Sequence, residues 1–190
     1  MINPELNIIL RKIWESLAKS TEDLTHPWRL ASLGMQSING PTVRTMVLRS
    51  AIAQTRTLTA YTDIRSTKIS NFRQDPRVAW AFYNHKTKEQ VRANGRAILH
   101  YNNKETRLAL NTITKTNLYN YSTPLAPGTK INPKKVNQTN TTEMSFAISN
   151  FAIIDCNITC IDWLQISPEK HLRAQFNWNG YDWNMSWVTP

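Results

Sequence analysis

Four side chains able to hold a phosphate stand in a row at Arg65, Ser66, Thr67 and Lys68, inside the stretch AYTDIRSTKISNFRQDP. A phosphomonoester needs positive charge and several aligned donors. Arginine supplies a bidentate fork, lysine a point charge, and serine and threonine supply hydroxyls. The residues before the row, TLTAYTDI, are rich in Thr and Tyr and read as a strand. Those after it read as a short helix, opened by Ser66 or Thr67 and stopped before Pro76. A helix start adds unpaired backbone N–H groups at the same spot. The other reading of the row is a capped surface helix with ordinary charges near it.

Two more cations, Arg44 and Arg49, lie in RTMVLR, on the strand that follows a first hairpin. Five apart, they point to opposite faces of a regular strand. They reach one ligand only if a bulge intervenes or the ligand lies along the strand edge. Buried strand arginines need partners, few acidic residues lie near in sequence, and an anionic ligand would resolve this. Gln90, opening a later strand, offers a donor and an acceptor that suit the imide-like edge of a flavin or a pyrimidine; it is also an ordinary surface residue type.

The elements that must position these groups can be traced along the chain. Leu6, Leu10, Ile13 and Leu17 recur at helical spacing and predict a helix over 4–19, capped by Asn3 with Pro4 in its first turn. Asn39-Gly40 predicts a hairpin with a type I′ turn between two strands. RVAWAFYN and EQVRANGRAIL alternate and predict a second hairpin across residues 84–88. NKETRLALNTITK is a weaker helix, and residues 120–143 read as a loop before apolar strands resume in SFAISNFAIIDCNITCIDWLQIS. Cys156 and Cys160, four apart in that run, are expected on one side of the strand as two reduced, partly buried thiols. The neighbouring sequence offers too few ligands for a metal. The last hairpin is expected to turn at Asn179-Gly180, setting Trp178 opposite Tyr181 and Phe176 opposite Trp183. Its aromatic face is core packing or a wall for a flat ring. Six or more strands with two or three helices describe a small β-barrel with flanking helices.

Length and composition bound the rest. A chain of 190 residues with 41% hydrophobic and 19% charged content suits one globular domain. No apolar run is long enough to span a bilayer, and the first residues do not form a secretory signal, so a cytoplasmic protein is expected and the acceptor motifs at Asn137, Asn140, Asn157 and Asn184 carry no weight. The formal charge of +10 suggests an anionic ligand, nucleic acid or a membrane surface, or else a soluble basic surface. The cations are dispersed, with no block that would make a nucleic-acid arm. His26, His85 and His100 are isolated and suggest no metal site.

RTMVLR, AYTDIRSTK, DPRVAWAFY and EQVRANGRA follow one another in the order and spacing of the pyridoxamine 5′-phosphate oxidase-like, FMN-binding split-barrel family, which the chain resembles from about residue 5 to 190. HPWRLASLG and YSTPLAPG look like the subgroup of uncharacterised, mostly bacterial relatives. The resemblance implies a mainly β fold, a six-stranded antiparallel split β-barrel with flanking helices, over 1–190 as one domain. It implies a homodimer with FMN in clefts between subunits. Arg44, Thr45, Met46, Val47, Leu48 and Arg49 would lie along FMN, with Arg44 near its phosphate. Tyr61 and Thr62 match contact positions, Ser66 and Lys68 match the phosphate loop, and Gln90 matches the residue facing the ring's polar edge. The family's oxidases carry Arg where Thr67 stands, and Arg65 is placed to replace it.

Two departures bear on activity. The oxidases hold their substrate's phosphate with Tyr, Arg and Ser on the helix after the fifth strand, and residues 108–116 do not reproduce that set. Their Arg-x-His-x-Arg motif is met here only by His171, Arg173 and Gln175, of which His171 and Arg173 are the candidate substrate contacts. The resemblance thus carries FMN binding further than oxidation of a B6 vitamer. An FMN-dependent oxidoreductase is expected first. The alternatives are a flavin carrier or sensor without turnover and, more remotely, a basic nucleic-acid binder using its aromatic residues.

Overall fold

Val78, Trp80 and Phe82 alternate with exposed residues because they form the inward face of a central strand, and all three are buried. The computed structural model describes residues 4–132 and 143–190, so the Asn3 cap, residues 133–142 of the expected loop and the motifs at Asn137 and Asn140 lie outside the described residues. Among the described residues there are nine strands: β1 (Leu30–Ser37), β2 (Gly40–Val47), β3 (Ser50–Ile52), β4 (Thr57–Asp63), β5 (Arg77–Asn84), β6 (Glu89–Tyr101), β7 (Phe151–Gln165), β8 (Leu172–Trp178) and β9 (Trp183–Val188). Five helices accompany them: α1 (Pro4–Glu22), α2 (Thr67–Gln74), α3 (Lys104–Thr112), α4 (Lys115–Tyr119) and α5 (Met144–Asn150). None of these helices is long and apolar enough to cross a membrane.

The strands form one antiparallel sheet in the order β2-β1-β5-β6-β7-β4-β3, with β8 and β9 continuing from β7. Only Leu48 and Arg49 separate β2 at one end of that order from β3 at the other. The link is stitched to both sides: Leu48 N–H donates to the Arg29 carbonyl at 2.9 Å, and Arg49 N–H to the Thr59 carbonyl at 2.8 Å. So short a connection requires the sheet to roll until its ends meet, which closes the barrel. Helix α1 contributes Leu6, Leu10, Ile13, Trp14 and Leu17 to the barrel core, while Ile69 and Phe72 bury one face of α2. A smaller core outside the barrel gathers Leu118, Ala147, Phe151 and Ile153 under α3, α4 and α5.

The split arises on β7. Its first half, 151–157, pairs with β4 and its second half, 160–165, with β8, while β6 runs along both. Between the halves the register slips: Asn94 pairs with Cys160 but Gly95 with Ile158, leaving Thr159 as the extra residue of a bulge. One extra residue reverses every face beyond it. Cys156 is therefore fully buried and Cys160 partly exposed, and the two thiols do not share a side as their spacing suggests. Burial pushes the Cys156 thiol up to about 12. Gly95 permits the close approach, since a Cβ there would lie 2.1 Å from the Asn157 carbonyl oxygen.

Both tight turns differ from expectation. The first hairpin pairs Ser37 with Gly40, so its two turn residues are Ile38 and Asn39, and of Asn39 and Gly40 only Gly40 has positive φ, at 108°. The glycine takes the left-handed position just after the turn rather than inside a type I′ turn. In the last hairpin Trp178 pairs with Trp183 and Phe176 with Met185, because Asn179 Oδ1 accepts from the N–H groups of Tyr181 and Asp182 and builds a longer loop. The register moves by two residues, which preserves the faces: Phe176 is buried in the core and Tyr181 is exposed. Residues 145–150 of the expected strand run are helical, α5, and the strand starts at Phe151.

Gly95→Ala should destabilise the fold by about 3 kcal/mol in urea denaturation, because the new methyl meets backbone and not a movable side chain. Gly34→Ala, whose Cβ would sit 3.5 Å from the nearest atom of the same chain, is the comparison and should cost far less than Gly95→Ala. Equal effects would show that β6 and β7 do not require the close approach.

Candidate anion-binding site

The meeting of the sheet's two ends sets β2 beside the junction of β4 and α2. Arg44, on β2, reaches that junction and donates from Nη2 to Thr67 Oγ1 at 3.0 Å. Its Nε–H is buried and has no acceptor. Ser66 starts α2 without capping it through its side chain. Instead Ser66 Oγ and Thr62 Oγ1 each accept from Lys68 Nζ at 2.9 Å, which folds the lysine back over the helix start. Burial first, and then the neighbouring Arg44 charge, pull the Lys68 ammonium down to about 8, against a smaller opposing pull from Asp63. Two cations thus share one spot with hydroxyls and no carboxylate of their own. That is a cradle for a small dianion.

Arg65, expected to bind the same anion, is spent elsewhere. Its Nε donates to Asp63 Oδ1 at 3.0 Å and Nη2 to Asp63 Oδ2 at 2.7 Å. Its remaining reach goes to the carbonyls of Pro124, 3.0 Å from Nη1, and Thr123, 2.9 Å from Nη2. It fastens the 121–124 segment beside the site and consumes the nearest carboxylate, so Asp63 hydrogen-bonds Arg65 and only weakly offsets the Lys68 charge. Asn150 Nδ2 holds the same segment by donating to the Tyr121 carbonyl at 2.8 Å.

Arg44 and Arg49 do not follow the alternation of one regular strand, because β2 ends at Val47 and the chain then crosses to β3, which pairs with β4. Arg49 lies over the Tyr61 ring, 5.6 Å from its centre. Tyr61 and Tyr121 both pack edge-on against Phe151, at 5.0 and 5.4 Å between ring centres. Burial pushes the Tyr121 hydroxyl up to about 12 and raises that of Tyr61, with Arg49 pulling the other way in both. Both phenols are therefore neutral donors at pH 7. Met46 and Leu48 are buried, whereas Thr45 is exposed and Val47 partly so. Thr62 is buried at the floor.

Gln90, His171 and Arg173 are not brought to this cluster. Thr62 shares its row across the sheet with Ala152 and Tyr101, whereas Gln90 stands at the other end of β6, roughly 35 Å along the strand. Gln90 pairs with Leu164, which pairs with Arg173. On this outer face Asp162 accepts from Arg92, Arg173 and Gln175 at 2.8–3.1 Å. Burial works against the Asp162 charge, but those donors and the two arginine charges hold its carboxyl below the usual range. His171 is exposed, and its Nδ1 accepts from Ser167 N–H at 3.4 Å. Sequence reasoning missed Asp63, Tyr121 and Asn150. An Asp two residues before an Arg is a recognisable turn signal, whereas nothing local marks the other two.

The protonated Lys68 favours an anion, so binding should weaken as pH rises through about 8 and the ammonium is lost. With sulfate, whose charge is constant over this range, calorimetry should show affinity falling toward about tenfold per pH unit between pH 8 and 9.5. Lys68→Met should remove that slope, while Arg65→Ala should keep it and instead speed hydrogen exchange in residues 121–125. A slope that survives Lys68→Met would contradict the cradle.

Residues 9–101, just under half of the chain, match the family model described as pyridoxamine 5′-phosphate oxidase, FMN-binding domain. The matched segment contains Arg44, Arg49, Tyr61, Thr62, Ser66, Lys68 and Gln90 but neither His171 nor Arg173. A comparison with curated proteins gives no match. Among solved structures, a pyridoxamine 5′-phosphate oxidase-related, FMN binding protein from Nostoc punctiforme is similar over 100% of both chains, with a TM-score of 0.77 and 20% identity. PhzG from Burkholderia lata, solved in complex with tetrahydrophenazine-1-carboxylic acid, covers 100% of this chain and 98% of its own, at a TM-score of 0.73 and 14% identity. General Stress Protein 26 from Bacillus anthracis covers 85% of this chain and 98% of its own, at a TM-score of 0.52 and 18% identity. At these identities the structures speak for the fold. Segment 9–101 belongs to the pyridoxamine 5′-phosphate oxidase, FMN-binding domain family, and the chain as a whole has that family's split-barrel fold.

Proposed function

We propose that the chain, 1–190 as one domain, is an FMN-binding flavoprotein that works as a homodimer and serves as an oxidoreductase. The observation that carries this reading is the Arg44 and Lys68 pair at the start of α2, with a buried Arg44 Nε–H lacking an acceptor and the nearest carboxylate already taken by Arg65. A terminal phosphate fits that set of donors: it supplies an acceptor to Nε and neutralises both charges. Arg44, Ser66, Thr67 and Lys68 hold the phosphate. Thr45, Met46, Val47 and Leu48 line the path from there to Arg49 and Tyr61, and Arg49 places positive charge where a flavin's polar edge would lie. Bound FMN supplies the electron-transfer chemistry. The chain's part is to orient it, exclude water with the 121–124 segment, and offer the Tyr121 and Tyr61 hydroxyls as neutral donors.

The homodimer is supported by what one chain lacks. Gln90 is too far along β6 for one mononucleotide to touch both it and Lys68 of the same chain. A second copy laid against the barrel would bring its own Gln90, with His171 and Arg173 nearby, to the first copy's cradle. The outward side of β1, β2 and β5 is suited to such packing: Gly34 pairs with Ala79 and Ser32 with Ala81, while Leu30 and Val43 are 62% and 65% exposed.

Arg44→Ala and Lys68→Ala should each weaken FMN binding by about 1.5–3 kcal/mol, read by flavin fluorescence titration. The composite cleft has a sharper test. Arg44→Ala/Lys68→Ala protein and Gln90→Ala protein, each weakened in FMN binding, should regain one normal site per pair when subunits are mixed and exchanged. Failure of the mixture to recover would mean that Gln90 acts within its own chain or not at all. Anaerobic mixing of the FMN-loaded protein with NADPH or NADH should bleach the flavin, and an unbleached flavin with every donor would indicate a carrier.

A further inference from the structure

Helix α1 and the end of the barrel away from the cradle enclose a hollow of about 690 Å³, within the size range of small-molecule sites. One wall is a single face of α1, bearing Glu5, Ile8 and Lys12. Facing it are three indoles, Trp28, Trp163 and Trp187, and at one end stands Glu89. The Glu89 carboxylate is fixed in place. Its Oε1 accepts from Trp163 Nε1 at 3.2 Å and its Oε2 from Thr87 Oγ1 at 2.7 Å, which leaves each oxygen room for a further donor.

We propose that this hollow binds an organic cation: an aromatic ammonium compound whose charge sits beside Glu89 and whose ring packs against the indoles that line the hollow. Aromatic faces attract cations through their quadrupole, and the partly buried Glu89 carboxylate adds direct attraction. The adjoining groove carries Lys170 and Arg173, whereas Glu89 lines the hollow, so the Glu89 end is the one that takes positive charge. Within one chain the hollow lies away from the cradle at α2, and its occupancy does not rest on the flavin reading.

The test is calorimetry on the full chain at neutral pH with three probes of one shape: N-methyl-6-methoxyquinolinium, 6-methoxyquinoline and 6-methoxy-2-naphthoate. The cation should bind saturably at one per chain, the neutral compound at least tenfold more weakly and the anion more weakly still. Glu89→Gln, which keeps the acceptor for Trp163, should cost the cation at least tenfold. Ile8→Trp, placed on a side chain that is 44% exposed, should fill the hollow and block binding without disturbing the core. No saturable binding of the cation, equal binding of the anion, or affinity unchanged by both substitutions would overturn the proposal.

Discussion

Like charges do not gather in a folded protein without something to hold them, and Arg44 and Lys68 gather where the sheet closes. The chain has other places to put a carboxylate, and it puts Asp63 two residues before Arg65, which takes it whole. The arginine and lysine are left with hydroxyls alone. Burial and the Arg44 charge lower the proton affinity of Lys68, which records the cost of this arrangement. An anion beside the two cations would reverse that cost.

The cradle exists because of a topological accident that is enforced by two residues. Leu48 and Arg49 join the first and last strands of the rolled sheet, so β2 and β4 must meet, and whatever they carry at that height becomes one site. Arg44 arrives from one side, and Thr62, Ser66 and Lys68 from the other. The bulge opposite Gly95 acts at the far side of the barrel, freeing the second half of β7 to pair with β8. The same strand therefore serves the cradle's half of the molecule and the Gln90 half without either face being continuous.

What could be read from the residues was whatever depends on neighbours in sequence. The alternation of Val78, Trp80 and Phe82, the helical stripe of Leu6 to Leu17 and the strand-to-helix step at Ser66 are local and were legible. The slip at Thr159 was not, since it is set by Gly95 some sixty residues away, and no spacing rule for Cys156 and Cys160 contains it. The hairpin turns failed for a related reason: Asn-Gly marks a turn, but the hydrogen bonds of Ser37 and of Asn179 decide its length. At the site, the types of Arg44, Ser66 and Lys68 already pointed to an anion. That Arg65 would be withdrawn by Asp63 and the 123–124 carbonyls, and that Tyr121 would pack against Phe151 near Tyr61, depends on a loop distant in sequence.

The central claim is that the closure of the barrel builds a phosphate cradle from Arg44, Ser66, Thr67 and Lys68. A crystal structure of the full chain grown with FMN tests it most directly. The account predicts phosphate oxygens within hydrogen-bonding distance of Arg44 Nε and Lys68 Nζ at the start of α2, with Arg65 still on Asp63. A phosphate bound by Arg65 after it has left Asp63, or FMN bound elsewhere with Arg44 and Lys68 untouched, would contradict it.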